Sequence, residues 1–88
     1  MRLVPRVAAI VPIENSILLV KHHDGEIGYW VPPGGSLEAE EGLHEAVRRE
    51  VKEETHLEVN VKRLIYYDDY FDEENDKHIT QFFFLCEH

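Results

Sequence analysis

Apolar positions in this chain fall in short alternating or continuous runs, and only one stretch changes to a helical spacing. Val7 to Ile13 is a strand-length run with Pro12 near its end. A proline cannot donate to a central ladder, so the run suits a first or edge strand. Glu14-Asn15 reads as a turn and Ile17 to Lys21 as a second strand, which together predict a hairpin. His22 to Gly28 is polar with two glycines and reads as a loop. Tyr29-Trp30-Val31 is a short extended piece, because the prolines after it disfavour a helix. Pro32 to Gly35, PPGG, predicts a tight turn. Helical spacing then runs from about Gly42 to about Thr55. Leu57 to Tyr67 returns to strand, and Asp68 to Lys77, rich in acids, predicts a solvated hairpin loop. Ile79 to Cys86, with three consecutive phenylalanines, is a strongly β-prone strand.

That last strand is apolar on both faces, which calls for cover on both. One long helix can cover only one side of a sheet of four or so strands. The expectation is that the chain either oligomerises, as a homodimer through residues 79–86, or forms the front part of a larger domain; the second is preferred. An uncovered strand of this kind is a template for pairing with another chain, so a stable monomer is not expected.

The helix carries charge where the pattern does not call for it. Setting Leu43 at zero and advancing about 100° per residue puts Val47 at about 40°, Val51 at about 80° and Ala46 at about 300°, which defines the buried stripe. Glu50 at about 340° and Glu54 at about 20° fall inside that stripe, with Glu53 at about 280° on its edge. Glu45, Arg48 and Lys52 lie on the solvent side. Burying an unpaired carboxylate costs several kcal/mol, and two side by side drive one to keep a proton. Arg49, on the flank, can pair with Glu45 or Glu53 but cannot neutralise all three. A divalent cation can, and an all-oxygen ligand set selects Mg²⁺ or Mn²⁺ over zinc. The competing account is an acidic, salt-bridged surface helix.

Composition narrows the partners. The 88 residues carry a net charge of −9 with 43% apolar residues, enough for one small domain. An acidic surface repels a phosphate backbone, which excludes a sequence-independent nucleic-acid binder and predicts no stable nucleic-acid complex. A small phosphorylated ligand arriving with a metal remains compatible. The single cysteine, Cys86, cannot form an internal disulfide, which fits a reducing, cytoplasmic setting. No run reaches the ~18 apolar residues needed to cross a bilayer. The first residues are interrupted by Pro12 and Glu14 and lack a small-residue cleavage site, so they read as mature chain.

Gly34 and Gly35 end a proline-bounded turn ahead of the helix, where a glycine lets backbone approach a ligand closely. The spacing from there is specific: Gly35, five residues, Glu41, seven residues, Arg49-Glu50, Val51, Lys52, Glu53-Glu54. With the next residues it reads G-SLEAE-E-GLHEAVR-RE-V-K-EE-T-H-L over residues 35–57, and the approach is YWVPPGG. This resembles the Nudix box at every defined position except one, where His56 replaces a glycine. The family's fold is an α/β/α sandwich, so the expected class is α/β (α+β): a mixed sheet with the box helix packed on it. Residues 1–88 would be a single Nudix domain lacking the later strands and the C-terminal helix.

The resemblance implies metal-dependent hydrolysis of a pyrophosphate bond in a nucleoside diphosphate linked to another moiety, or in a nucleoside triphosphate. By position, Glu50 and Glu54 resemble the main metal ligands, Glu53 a further ligand or the group that activates water, and the Gly35 carbonyl a backbone ligand. Mg²⁺ is the implied cofactor, with Mn²⁺ able to substitute. Arg49 and Glu41 resemble the salt bridge that ties the loop to the helix. At His56 the family's glycine usually has positive φ; histidine tolerates it at a cost on the order of 1 kcal/mol. The proline found downstream in ADP-ribose-cleaving members is absent, since none follows Pro33. A rival reading is a non-catalytic Nudix-like nucleotide-binding or regulatory module. Lys21 is a candidate phosphate contact. Trp30 reads as a core or loop anchor, with base stacking as the alternative. His22, His23 and His78 read as solvated, and Tyr66, Tyr67 and Tyr70 as strand residues, one of which could face a nucleobase.

Overall fold

The computed structural model describes residues 1–88. In chain order the elements are β1 (Arg2–Ile10), β2 (Pro12–Ile13), β3 (Ser16–Ile17), β4 (Val20–Asp24), β5 (Ile27–Val31), β6 (Gly34–Ser36), α1 (Leu43–Thr55), β7 (Asn60–Asp72) and β8 (Lys77–Glu87). The main sheet has four strands in the order β6-β1-β8-β7. β1 runs parallel to β8, from Arg2↔Lys77 to Ile10↔Leu85, and antiparallel to β6. β7 pairs antiparallel with β8. Two further hairpins, β2-β3 and β4-β5, stand apart from it. The result is the mixed α+β architecture expected from the box.

α1 lies on one face of the sheet because its apolar residues recur at helical spacing. Ala46, Val47 and Val51 are buried against Val7, Ala9 and Val11, which alternate along and just beyond β1, and against Phe84 and Cys86 of β8. Fully burying one valine is worth about 1.5–3 kcal/mol, so this single cluster supplies much of what holds helix to sheet. Gly42 sits at the N-cap without a side-chain capping bond. The other end is firmer. His56 takes the left-handed conformation at φ 64°, and its N–H donates to the Lys52 carbonyl at 2.9 Å. Thr55 Oγ1 donates to the Val51 carbonyl and accepts from Leu57 N–H. Histidine thus fills the positive-φ position, as expected.

Several strand expectations need correction. β1 is an interior strand, not an edge, because β6 and β8 flank it; the hairpin after it has shrunk to the two-residue β2 and β3. The HHDGEIG segment is no loop. It forms the turn and the adjoining half of β4-β5, turning at Gly25, whose φ is +66°. The acidic stretch is mostly strand: β7 runs to Asp72, leaving only Glu73 to Asp76 as the turn. β8 is the strand expected to pair with another chain, yet both its edges are already taken by β1 and β7. The open edges belong to β7 and β6. No helix is long and apolar enough to cross a membrane.

Candidate active site

The site begins where PPGG meets the sheet. Only its first half is a turn. Pro33 is buried and its carbonyl accepts from Ala9 N–H at 2.9 Å, after which Gly34, Gly35 and Ser36 pair with Ala8, Val7 and Arg6. Both glycines are there for space. A Cβ on Gly34 would collide with the Val7 carbonyl and Ala8 Cα; one on Gly35 would collide with the Glu50 carboxylate. The backbone of β6 therefore lies directly against the carboxylate end of the α1 side chains.

Arg49 ties the loop to the helix. Its Nε and Nη2 donate to the two oxygens of Glu41 at 2.6 and 2.9 Å. Nη2 also donates to the Ser36 carbonyl at 3.1 Å, and Nη1 to Glu50 at 3.0 Å and Glu53 at 3.2 Å. The bidentate fork fixes orientation as well as charge. Its hydrogen bonds hold the Glu41 carboxyl below the usual range, with the Glu38 N–H adding to the effect, and Glu41, followed by Glu50, pushes the Arg49 pKa upward.

Glu50 and Glu54 stand one turn apart, with side chains 13% and 22% exposed. Glu54 accepts from the Gly34 N–H at 3.2 Å and lies 3.8 Å from His22 Nε2. Burial pushes its pKa up, the Gly34 N–H offsets part of this, and the adjacent Glu50 charge pushes in the same direction as burial. Two part-buried carboxylates side by side, one of them reluctant to ionise, are what a hard cation relieves. Glu53 does not join them. At 57% exposed it is drawn outward by Arg49, one turn back, from its place on the stripe's edge. No group of three or more His, Cys, Asp or Glu converges at metal-holding geometry.

Lys21 and Trp30 are brought together, but away from these glutamates. They are register partners on β4 and β5, with the Lys21 ammonium 5.7 Å from the indole centroid. Trp30 is 63% exposed, so it is not a core anchor. Successive strand residues point to opposite faces, so the partners on the other face of the hairpin are His22 and Tyr29. The sequence reading missed both. Treating HHDGEIG as loop concealed the alternation that puts His22 on the Glu54 side. His78 is likewise not free, lying 2.7 Å from Asp69.

A glycine-backed carboxylate pair on a helix, clamped by an arginine and laid on a mixed sheet, defines the Nudix-box class of site. The NUDIX domain family model matches residues 3–88, and the chain belongs to that family. It is 43% identical over 60 residues to an ADP-ribose pyrophosphatase of Methanocaldococcus jannaschii, a match covering 67% of this chain and 36% of that protein. Among solved structures it superposes on a NUDIX hydrolase from Nitrosomonas europaea with a TM-score of 0.88 and 26% identity, covering 98% of this chain and 59% of that one. The corresponding figures for a MutT NUDIX hydrolase from Burkholderia pseudomallei are 0.80 and 26%, covering 100% and 69%. The chain thus spans about a third of the curated relative and under two thirds of the Nitrosomonas structure.

Proposed function

We propose that this chain contributes the catalytic face of a divalent-metal-dependent pyrophosphohydrolase acting on a nucleoside diphosphate linked to another group, or on a nucleoside triphosphate. Residues 1–88 form part of a single Nudix domain in this reading. The observation that carries it is the part-buried Glu50–Glu54 pair pressed against Gly34 and Gly35. Glu50, Glu54 and the Gly35 carbonyl would hold Mg²⁺ or Mn²⁺. When bound, the ion screens the phosphate charge, acidifies water and stabilises the oxygens of an in-line displacement at phosphorus.

The chain's own residues do the rest. Burial raises the Glu54 pKa, an arriving positive charge favours its ionised form, and the Gly34 N–H holds the carboxylate in place. Arg49 positions Glu50 and keeps the β6–α1 loop docked through Glu41. Glu53, outside the pair and open to solvent, suits proton transfer from the attacking water better than ligation, because a general base must reach that proton rather than the ion. The identity to a relative named for ADP-ribose suggests that substrate.

Titration of the intact chain with Mn²⁺ tests the site. Saturable binding that weakens at least tenfold in Glu50→Gln supports it; no binding, or binding unchanged in that variant, sinks it. A nucleotide screen with Mg²⁺ tests the chemistry. Glu53→Gln and Glu54→Gln should each lower turnover by about a hundredfold, the usual scale for an acid–base group. Nucleotide binding without turnover would favour a non-catalytic binding module.

A further inference from the structure

β7 is an outer strand of the main sheet, so along one side its N–H and C=O groups have no strand beside them. At its middle Leu64, Ile65, Tyr66 and Tyr67 are 45%, 43%, 58% and 69% exposed, and these four alone line a groove. A contiguous apolar patch of this kind marks an interaction site. Charge brackets it, with Lys62 and Arg63 before and Asp68 and Asp69 after. The outer two are satisfied within the chain: Lys62 lies 2.8 Å from Glu87, and Asp69 lies 2.7 Å from His78. The inner two, Arg63 and Asp68, make no ion pair and no side-chain hydrogen bond. Across the ladder they face Leu85 and Gln81, and the row continues to Ile10 behind the first and Arg6 behind the second. Arg6 is about 10 Å from Asp68 at two strand spacings.

Five positions apart, Arg63 and Asp68 would point to opposite faces of a regular strand. The irregularity between Leu64 and Tyr66 inserts Ile65 as an extra residue. It puts Arg63 and Asp68 on one face, opposite Leu85 and Gln81, which are four apart on β8. Leu64 and Tyr67 share the other face, opposite Phe84 and Phe82. A second copy laid antiparallel along this edge, with the two-fold axis between Ile65 and Tyr66, sets Arg63 against Asp68 of the second copy and Leu64 against its Tyr67. Symmetry repeats both contacts. Cross-strand partners must lie on the same face, and in this register they do. A slip of one residue would set Arg63 against Tyr67 or Asp69, which lie on the other face.

We infer that the outer edge of β7 recognises itself: two copies of this chain pair antiparallel through residues 63–68, join their four-stranded sheets into one, and neutralise Arg63 and Asp68 at two symmetric places. The contact is isologous, the same patch on both sides. A strand of another sequence would have to supply an acid and a base at this separation, in reverse order and on one face. This chain already carries that complement. The charges set the register, and the apolar and aromatic centre supplies the area taken from water.

Analytical ultracentrifugation of the full chain across the micromolar range tests the inference, with charge reversals as the probe. Wild type should sediment as a dimer. Arg63→Asp and Asp68→Arg each turn two attractive pairs into two repulsive ones, and each should weaken self-association by about tenfold or more. Both side chains are exposed, so the variants should keep the circular dichroism of wild type. Arg63→Asp leaves acids at both positions and Asp68→Arg leaves bases at both. An equimolar mixture of the two variants should therefore recover the dimer, and so should the chain carrying both reversals. Recovery in the mixture comes from chains meeting each other and not from restored folding. A wild-type chain that stays monomeric throughout that range overturns the inference and leaves the edge to another segment or another protein. A dimer that survives both single reversals, or two monomeric variants whose mixture stays monomeric, overturns it equally.

Discussion

Replacing Gly34 or Gly35 with alanine adds the same methyl to adjacent residues, yet the structure requires different outcomes. At Gly34 the new Cβ meets backbone, the Val7 carbonyl and Ala8 Cα, and neither can move without opening the β1–β6 ladder. Overpacking of this kind costs about 1–3 kcal/mol, and a clash with backbone belongs at the upper end. For a domain of this size each kcal/mol moves Tm by about 4–8 °C, so Gly34→Ala should melt roughly 12–24 °C lower. At Gly35 the obstacle is the Glu50 carboxylate, the far end of a flexible side chain. It can swing away at the expense of its 3.0 Å bond from Arg49, a loss of about 1.5–3 kcal/mol if nothing replaces it and less where water does. Where water takes the place of the Arg49 bond, Gly35→Ala should melt less than about 6 °C low while losing Mn²⁺ binding, because Glu50 no longer faces Glu54. Adding Glu50→Ala to Gly35→Ala removes the clash but not the loss of the Arg49 bond, so stability should stay near that of Gly35→Ala and binding should stay absent. Thermal unfolding by circular dichroism and Mn²⁺ titration read the two effects. A Gly34→Ala protein melting within about 4 °C of wild type would refute the steric reasoning, since that is the shift of only one kcal/mol. Undiminished Mn²⁺ binding by Gly35→Ala would refute the placement of Glu50.

Arg49→Met should lower Tm far more than Arg48→Met on the exposed side of α1, with Arg49→Lys recovering only part because an ammonium lacks the fork. Glu41, held below its ordinary 4.5 by Arg49, contributes stability present above that value and lost as pH falls through the lower folded value; Arg49→Met should flatten that acid-side loss in a melting series. Glu54 has the opposite sign. Its folded pKa is raised, so the native state keeps a proton the unfolded chain has released, and stability in chelator falls as pH climbs from 4.5 through the folded value. Glu54→Gln should remove this decline and melt above wild type at pH 7 without metal; superimposable pH profiles would contradict it. Cys86 is buried with its thiol pushed up to about 11, so it should resist a disulfide reagent at pH 8 and react at once in denaturant.

The helix was legible because its period is local. The wheel placed Ala46, Val47 and Val51 inside, and they are buried; it placed Glu50 and Glu54 on the stripe and Glu53 at its edge, and exposure follows that order. The strands were less legible, because composition was read where geometry decides. Asp68, Asp69 and Asp72 looked like loop, but β7 is an edge strand with both faces largely open, where an aspartate remains hydrated while its backbone joins the ladder. The same bias hid β4-β5, whose two-residue loop Gly25-Glu26, with glycine at its first position, is a hairpin signal. Long-range pairing lay beyond periodicity altogether: nothing local in Arg2 to Ile10 says that its partner is Lys77 to Leu85. That pairing is also what aligns Arg2 with Lys77.

The parallel β1–β8 ladder has a consequence in time. Its partners are separated by 75 positions all along, from Arg2↔Lys77 to Ile10↔Leu85. β1 precedes the other strands described and lies between β6 and β8, so it must wait for 75 further residues before meeting its longest neighbour. At roughly 5–20 residues per second, that delay is about 4–15 s on the ribosome. Meanwhile α1 and the β4-β5 hairpin can form from neighbouring residues, but the apolar side of β1 has no durable cover. Closing such a distant contact belongs to the slow, millisecond-to-second end of two-state folding. Early exposure of Val7, Ala9 and Val11 makes this chain a candidate for chaperone contact at β1, before β6, β7 and β8 exist.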